Sequence, residues 1–243
     1  MMEASKQALE RLEYERAQII EAQSLPEKYI VTFGAQHSIG WRFFPAWLQA
    51  FENVYGPLIT KLRADDLPSC MDDLENRCTD FVIAYESAYS KSSSPSNTIE
   101  SINIGFDSLV PVCKPGPSGE PLFQFDEDDG PRIPWLRFGE VAPITKHIDP
   151  LLEAAQINRR LSVVYENSMA GALRIRARDG DGVAWLPYSL IAPDLEAGLL
   201  AITGKVNWRI ELEVRLLRNK EYTNIVTRRI WAYLATRQKI PLL

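Results

Sequence analysis

The sequence predicts an α/β protein of two Rossmann-like lobes joined by two crossover strands and preceded by a helix. Three observations carry this. Between residues 29 and 86, apolar runs alternate with helical patterns, the order that gives parallel strands with right-handed crossovers. A Ser-rich connector at 87–98 then separates this unit from a second with the same alternation. Finally, a strand-like run at 210–217 and a helical stretch follow the second unit. The first lobe is therefore expected to be discontinuous, 27–98 plus 210–243, around a second lobe at 99–209.

Residues 3–24 form the leading segment, and 3–22 read as one helix rich in Ala, Leu, Glu, Gln and Arg. Leu9, Leu12 and Ile19 make a stripe too narrow for a domain core, so it suits a partner helix; a frayed leader is the plainer alternative. Residues 29–33 are β-branched and aromatic, hence a strand, with Gly34 expected to break it. Ser38 is placed to cap a helix over 39–54 that carries Phe43, Phe44, Trp47, Leu48 and Phe51 on one face. Gly56-Pro57 turns the chain into a strand at 58–64, Asp65-Asp66-Leu67-Pro68 opens a helix at 68–78, and 80–86 is a short central strand.

In the second lobe, strands are expected at 108–113, 134–138, 161–165 and 182–186. Helices should start at Ile148 and at Ser168, the latter ending near Asp179-Gly180. Residues 114–120 are turn-rich, and 199–203 end the lobe. The closing helix spans 221–236.

Composition removes several classes of function. The 243 residues carry a formal net charge of −5, against a chain that grips nucleic acid by itself. No apolar run of about 18 residues exists, so no membrane partner is expected. The charged N-terminus lacks a secretion-signal core, and three cysteines with no CxxC suit a reducing cytoplasm. Two distant histidines make a zinc site unexpected, and no cofactor motif occurs. Without a nucleophile elbow, an HExxH or an acid/base pair, the chain is not read as an enzyme.

Strand, tight polar loop and helix place free amides at the C-terminal edge of a sheet, where a polar or anionic ligand is held. Ser38, with the backbone around Gln36 and His37, is the first ligand-contact candidate, a plain helix cap being the alternative. His37 could meet an anion or simply be solvated. Tyr85, at the end of the third strand, is a further contact candidate. Arg137 and Phe138 end a strand toward the expected cleft; the arginine could fork onto a carboxylate or be a surface charge. Asn167 and Ser168 precede a helix start on the opposite lobe and mirror Ser38. Met169 has three readings: core filler, pocket wall or oxidant target. Cys70 and Cys78, about 12 Å apart on one expected helix, are too distant for a disulfide. The acidic run 126–129 reads as solvated loop, and Arg174, Arg176 and Arg178 as the exposed face of a helix.

The segments Pro45-Ala46-Trp47-Leu48-Gln49-Ala50-Phe51, Leu74 to Ala84, and Asp179-Gly180-Asp181-Gly182-Val183-Ala184-Trp185-Leu186-Pro187 together resemble the effector-binding region of LysR-type transcriptional regulators. The resemblance implies a type 2 periplasmic-binding-protein-like fold, a small-molecule effector in the inter-lobe cleft, and a homodimer that becomes a tetramer in the full-length protein. It makes 3–24 the linker helix. DNA would be reached only through a winged helix-turn-helix, which is absent from this chain. Ala35-Gln36-His37-Ser38, Val112-Cys113 and Asn167-Ser168-Met169 are similar to the hypochlorite-responsive branch, where a methionine is the proposed oxidant trigger. A solute-binding protein for a small anionic ligand is the rival with the same architecture.

Overall fold

The computed structural model describes residues 30–90, 97–124, 130–140, 142–222 and 224–236. The expected leading helix at 3–24 and the acidic run at 126–129 lie outside them.

The first lobe is built on β1 (Ile30–Gln36), β2 (Ile59–Asp65) and β3 (Phe81–Glu86). β1 pairs in parallel with both others, giving the order β2-β1-β3 that right-handed crossovers require. Gly34 does not break β1. It sits mid-strand because a Cβ there would press on Val82 Cγ2 at 3.3 Å and Cys70 Cβ at 3.4 Å, so glycine serves close packing. The helix after β1 opens with a π turn, Ile39–Phe43, and continues as α1 (Phe44–Tyr55). α2 (Leu67–Glu75) is capped by Asp66, which accepts from the Ser69 amide at 2.8 Å. It stops at Glu75, short of the expected 78, and Arg77 turns the chain at φ 62°. Cys78 is therefore off the helix, exposed, while Cys70 is buried on it.

An aromatic ladder fixes α1 to the sheet. Phe33 meets Phe44 and Phe81 at 5.0 and 5.4 Å, and Trp47 stacks on Phe51 at 5.4 Å. Phe51 in turn meets Tyr233 of α6 (Ile225–Thr236) at 5.6 Å, edge-on. The other face of the sheet is closed by Cys70 and Leu74 of α2 on Val82, Ala84 and Leu217.

Two long strands cross between lobes: β4 (Ile99–Cys113) and β9 (Ile210–Asn219). They pair antiparallel from Ile99↔Asn219 to Leu109↔Ile210, with a bulge between Asn103 and Gly105. β4 starts nine residues before the expected 108–113; this first half mixes polar with apolar residues and is mostly half-buried, so it lacks the continuous apolar run of the second half. The lobes are thus joined by a paired ribbon, and the residues described in the connector are partly anchored: Ser87 is buried.

The second lobe holds β5 (Ile133–Arg137), α3 (Thr145–Ala154), β6 (Leu161–Glu166), α4 (Ala170–Asp179), β7 (Ala184–Pro187), α5 (Tyr188–Glu196) and β8 (Ala201–Ile202). β5 pairs in parallel with β6, and a Trp135↔Val183 bridge ties this pair to the approach to β7, which pairs with β4. Gly180 ends α4 at φ 95°, and a Cβ on Gly182 would fall 2.5 Å from the Pro134 carbonyl oxygen. These two glycines let helix α4 turn straight into β7.

Helix α5 was not expected. Its docking also corrects the reading of the α4 arginines as an exposed face at Arg174 and, in part, Arg178, while Arg176 is exposed as expected. Asp194, buried on α5, receives Arg174 Nη2 at 2.8 Å and a second, Nε bond, with Arg178 at 3.8 Å; Arg176 pairs with Asp181. The Arg174 guanidinium holds the Asp194 carboxyl below the usual range. Replacing Arg174 by Met strands that carboxylate and should cost about 3 kcal/mol in denaturant unfolding, whereas R174M combined with Asp194→Leu should recover most of it.

Candidate functional site

The sheet edge and the helix starts converge between the lobes on a cavity of about 190 Å³, room for a small molecule only. Its first-lobe wall is Gln36, His37, Ser38, Asp65 and Asp66 from the C-terminal ends of β1 and β2. Its second-lobe wall includes Phe138, the turn 142–144 that leads into α3, Ser168 and Ala170. Ser38 and Ser168 therefore face the same space from opposite lobes. Neither hydroxyl caps its helix. The Ser38 hydroxyl engages Tyr85, and Asn167 Oδ1 takes the Met169 amide at 2.8 Å, as a capping side chain would. This leaves the first amides of α4, at Ala170 and Gly171, without carbonyls four residues back, so they remain available as donors.

Of the expected contacts, Gln36, His37, Ser38, Phe138 and Ser168 line the cavity, but Gln36 Oε1 is engaged by the sheet, accepting from the Tyr85 amide at 2.9 Å. The others lie outside the lining. Tyr85 is buried beneath the cavity, and its hydroxyl donates to Asp107 at 3.0 Å. Arg137 is outside the lining: it meets Glu140, Asp149 and Glu166 at 3.4, 3.3 and 3.7 Å and lies over the Trp135 ring. Asn167 donates to the Tyr165 hydroxyl at 2.9 Å. Met169, 51% exposed, is at the N-cap of α4 and is not a lining residue.

Sequence reading missed the two carboxylates. Asp65 and Asp66 looked like helix-opening residues, and Asp66 is one; the same pair also forms a cavity wall. The Ser69 amide and hydroxyl hold the Asp66 carboxyl below its ordinary range, so it is ionised at neutral pH. Asp65 Oδ1 accepts from the Asp66 amide at 2.9 Å, and Arg63 reaches its other oxygen at 3.4 Å. The cavity thus pairs an acceptor-rich rim with helix-start donors opposite. Among the described residues no group of three or more His, Cys, Asp or Glu could hold a metal ion. No described helix is long and apolar enough to cross a membrane.

Thiols are not placed for exchange. Burial pushes the Cys70 thiol up to about 11 and raises Cys113, while the exposed Cys78 is free, as both others are.

The lobes touch again through His147 of α3, whose Nδ1 is 2.7 Å from the Ser87 hydroxyl at the end of β3. Ser87 Oγ already accepts from the Tyr89 and Ser90 amides, so its proton is best directed to a neutral imidazole. Burial lowers His147 from 6.5 to about 4. The unfolded chain then takes up the proton first, so stability is complete above pH 6.5 and falls as pH drops toward 4. The melting temperature should decline over that window by the equivalent of roughly 3 kcal/mol, and His147→Gln should flatten this step.

Comparison with known proteins adds the following. Residues 26–239 match the family model described as the LysR substrate binding domain. The HTH-type transcriptional regulator YjiE of Escherichia coli K12 is 24% identical over 202 residues, covering 83% of this chain; the chain spans only 63% of that regulator's length. An HTH domain-truncated regulator, QseD of E. coli O157:H7, is also 24% identical, covering 83% of this chain and 78% of its own. Among solved structures, the apo regulatory domain of HypT from Salmonella typhimurium has a TM-score of 0.74 at 21% identity, covering 88% of this chain and 98% of that one. DarR of Vibrio fischeri, solved with DNA, has a TM-score of 0.70 at 22% identity, covering 95% and 75%.

Proposed function

The chain belongs to the LysR substrate-binding domain family, which makes it the effector-binding domain of a LysR-type transcriptional regulator and not an enzyme, and from that premise we propose that its effector is a small polar molecule with an amine and an acceptor group. The observation that carries this is the composition of the inter-lobe cavity: Ser38 and Ser168 from opposite lobes, ionised Asp66 and neighbouring Asp65 on one rim, and the start of α4 on the other. An anion alone would meet the helix start but also two carboxylates, while Arg63 is paired with Asp65 and Asp73 and Arg137 is held by three carboxylates. A zwitterion satisfies both rims.

Binding would favour one angle between the first lobe, 27–98 plus 210–243, and the second, 99–209, and so shift a population. The effect would reach DNA through a helix-turn-helix outside these residues, in a cytoplasmic regulator. An oxidant version of this reading rests on Met169: sulfoxide formation on a half-exposed side chain at the N-cap of α4 would place a polar group beside Ser168.

The family oligomerises, and we infer a side-by-side antiparallel homodimer. Both outer strands, β2 and β6, are unpaired on one side among the described residues. Each carries exposed apolar groups: Ile59 with Val54 nearby in the first lobe, Val163 and Val164 with Ile175 in the second. A two-fold contact would set each edge on the partner's other lobe.

A thermal-shift panel of amino acids, simple amines and dicarboxylates tests the effector class. Amine-bearing zwitterions should raise the melting temperature, Asp66→Asn should weaken them, and Ser168→Leu should remove the shift. A dicarboxylate shift that survives D66N, with no zwitterion effect, would overturn the assignment. Hypochlorite treatment with Met169→Leu as control separates the oxidant version. Light scattering of Ile59→Lys with Val164→Lys should read a monomer where the parent reads a dimer.

A further inference from the structure

We propose that Tyr85 and Asp107 are positioning residues that make Ser38 a hydrogen-bond acceptor only, so that the first lobe takes the donor end of the effector. This rests on the reading of the inter-lobe cavity as the effector site, and it adds the rule by which one wall of that site selects a functional group.

The sense of each hydrogen bond follows from Asp107, which is buried on β4. Its Oδ1 accepts from two backbone amides, Ser108 at 2.8 Å and Ser189 at 3.0 Å. Its Oδ2 accepts from two hydroxyls, Ser189 at 2.6 Å and Tyr85 at 3.0 Å. A carboxylate can only accept, so the single phenolic proton of Tyr85 is committed to it. The opposite arrangement would set a phenol lone pair against a carboxylate oxygen at 3.0 Å. Burial and the Asp107 charge also hold the Tyr85 phenol well above its ordinary range, so it keeps that proton at neutral pH.

Tyr85 is tied to the cavity wall as well. Its amide donates to Gln36 Oε1 at 2.9 Å, two residues before Ser38. The Ser38 hydroxyl meets the phenol oxygen, which has only lone pairs left to offer. Ser38 therefore donates to Tyr85, and its own oxygen presents lone pairs to the cavity. Ser38 and the carboxylates of Asp65 and Asp66 then have the same sense, while the start of α4 across the gap offers amides. The effector lies with its amine or hydroxyl on the first lobe and its carboxylate or carbonyl on the second.

Alanine, lactate and pyruvate test this rule, because they share a carboxylate and differ in the group on the central carbon. The ammonium only donates, the hydroxyl does both and the ketone only accepts. Lactate and pyruvate carry equal charge, so their affinity ratio in calorimetric titration reads the sense of Ser38 apart from attraction to Asp66. The parent chain should prefer lactate by roughly fivefold. Tyr85→Phe frees the Ser38 proton, and the ratio should fall to about one. Asp107→Asn goes further. The two amides keep the Asn carbonyl at the Oδ1 position, so its NH2 donates to Tyr85, Tyr85 donates to Ser38, and Ser38 donates to the ligand. The preference should then invert toward pyruvate, and D107N added to Y85F should change nothing more. A purely structural role would weaken both ligands alike and leave their ratio at the parent value. Circular dichroism verifies that each variant is folded, and Y85F, which removes one oxygen, decides the matter should D107N not fold. A parent without the lactate preference, an unchanged ratio in Y85F, or a D107N effect that survives Y85F would overturn the proposal. Loss of alanine binding alone, with the lactate preference and its inversion intact, would overturn the amine reading and leave this one standing. Saturable binding by none of the three would overturn the cavity assignment and this proposal with it.

Discussion

The antiparallel pairing of β4 with β9 is the constraint from which the remaining architecture follows. Along it, backbone hydrogen bonds run without interruption from β3 of the first lobe to β7 of the second, apart from the bulge near Ile104. A sheet strand cannot be displaced from its neighbours without exposing unpaired amides, so the relation between lobes is set by ladder bonds and not by a slack linker. The parallel strands β1 and β2 and the strands β5 and β6 hang from either end of this ribbon. Their helix starts are consequently brought to one gap, which is why two serines 130 residues apart in sequence share a cavity.

The charged groups of the two lobes divide by how they are satisfied. Arg137, Arg174 and Arg209 are committed to carboxylates, and in each case the pairing serves structure: a strand end, a helix-helix contact and a ring stack. Asp66 has two duties, capping α2 and lining the cavity, and the capping bonds from Ser69 favour its ionised form. His147 is the opposite case, kept neutral by burial beside Ser87. The chemistry left over for a ligand in the cavity is therefore sparse: helix amides, two serine hydroxyls and a carboxylate rim.

Much of this was legible in the residue pattern. The apolar runs of β1, β3, β5 and β7, and the Asp179 to Pro187 segment with its two special glycines, declare themselves through periodicity and turn chemistry. The failures have physical causes. α5 contains Pro193 and directly follows Pro187, which disguises a helix whose stability comes from tertiary contacts such as Asp194 with Arg174. The first half of β4 mixes polar and apolar residues because it lies mostly half-buried in the ribbon, and Gly34 looked like a breaker because close approach by Cys70 and Val82 cannot be seen in one dimension. Ser38 and Ser168 could be found from strand-loop-helix order, whereas the commitment of Arg137 could not: its carboxylates come from three separate segments.

Asp107 gives the crossing a further property. Its carboxylate lies on the bridging strand and accepts from Tyr85 on one side and from both the hydroxyl and the amide of Ser189 on the other. Swinging the halves apart by any route that parts these groups would leave a desolvated negative charge with fewer donors, a steep local penalty. The articulation consequently behaves less like a free joint than like a latch with a detent: small rotations pivot about the carboxylate, and larger ones must release it in a step.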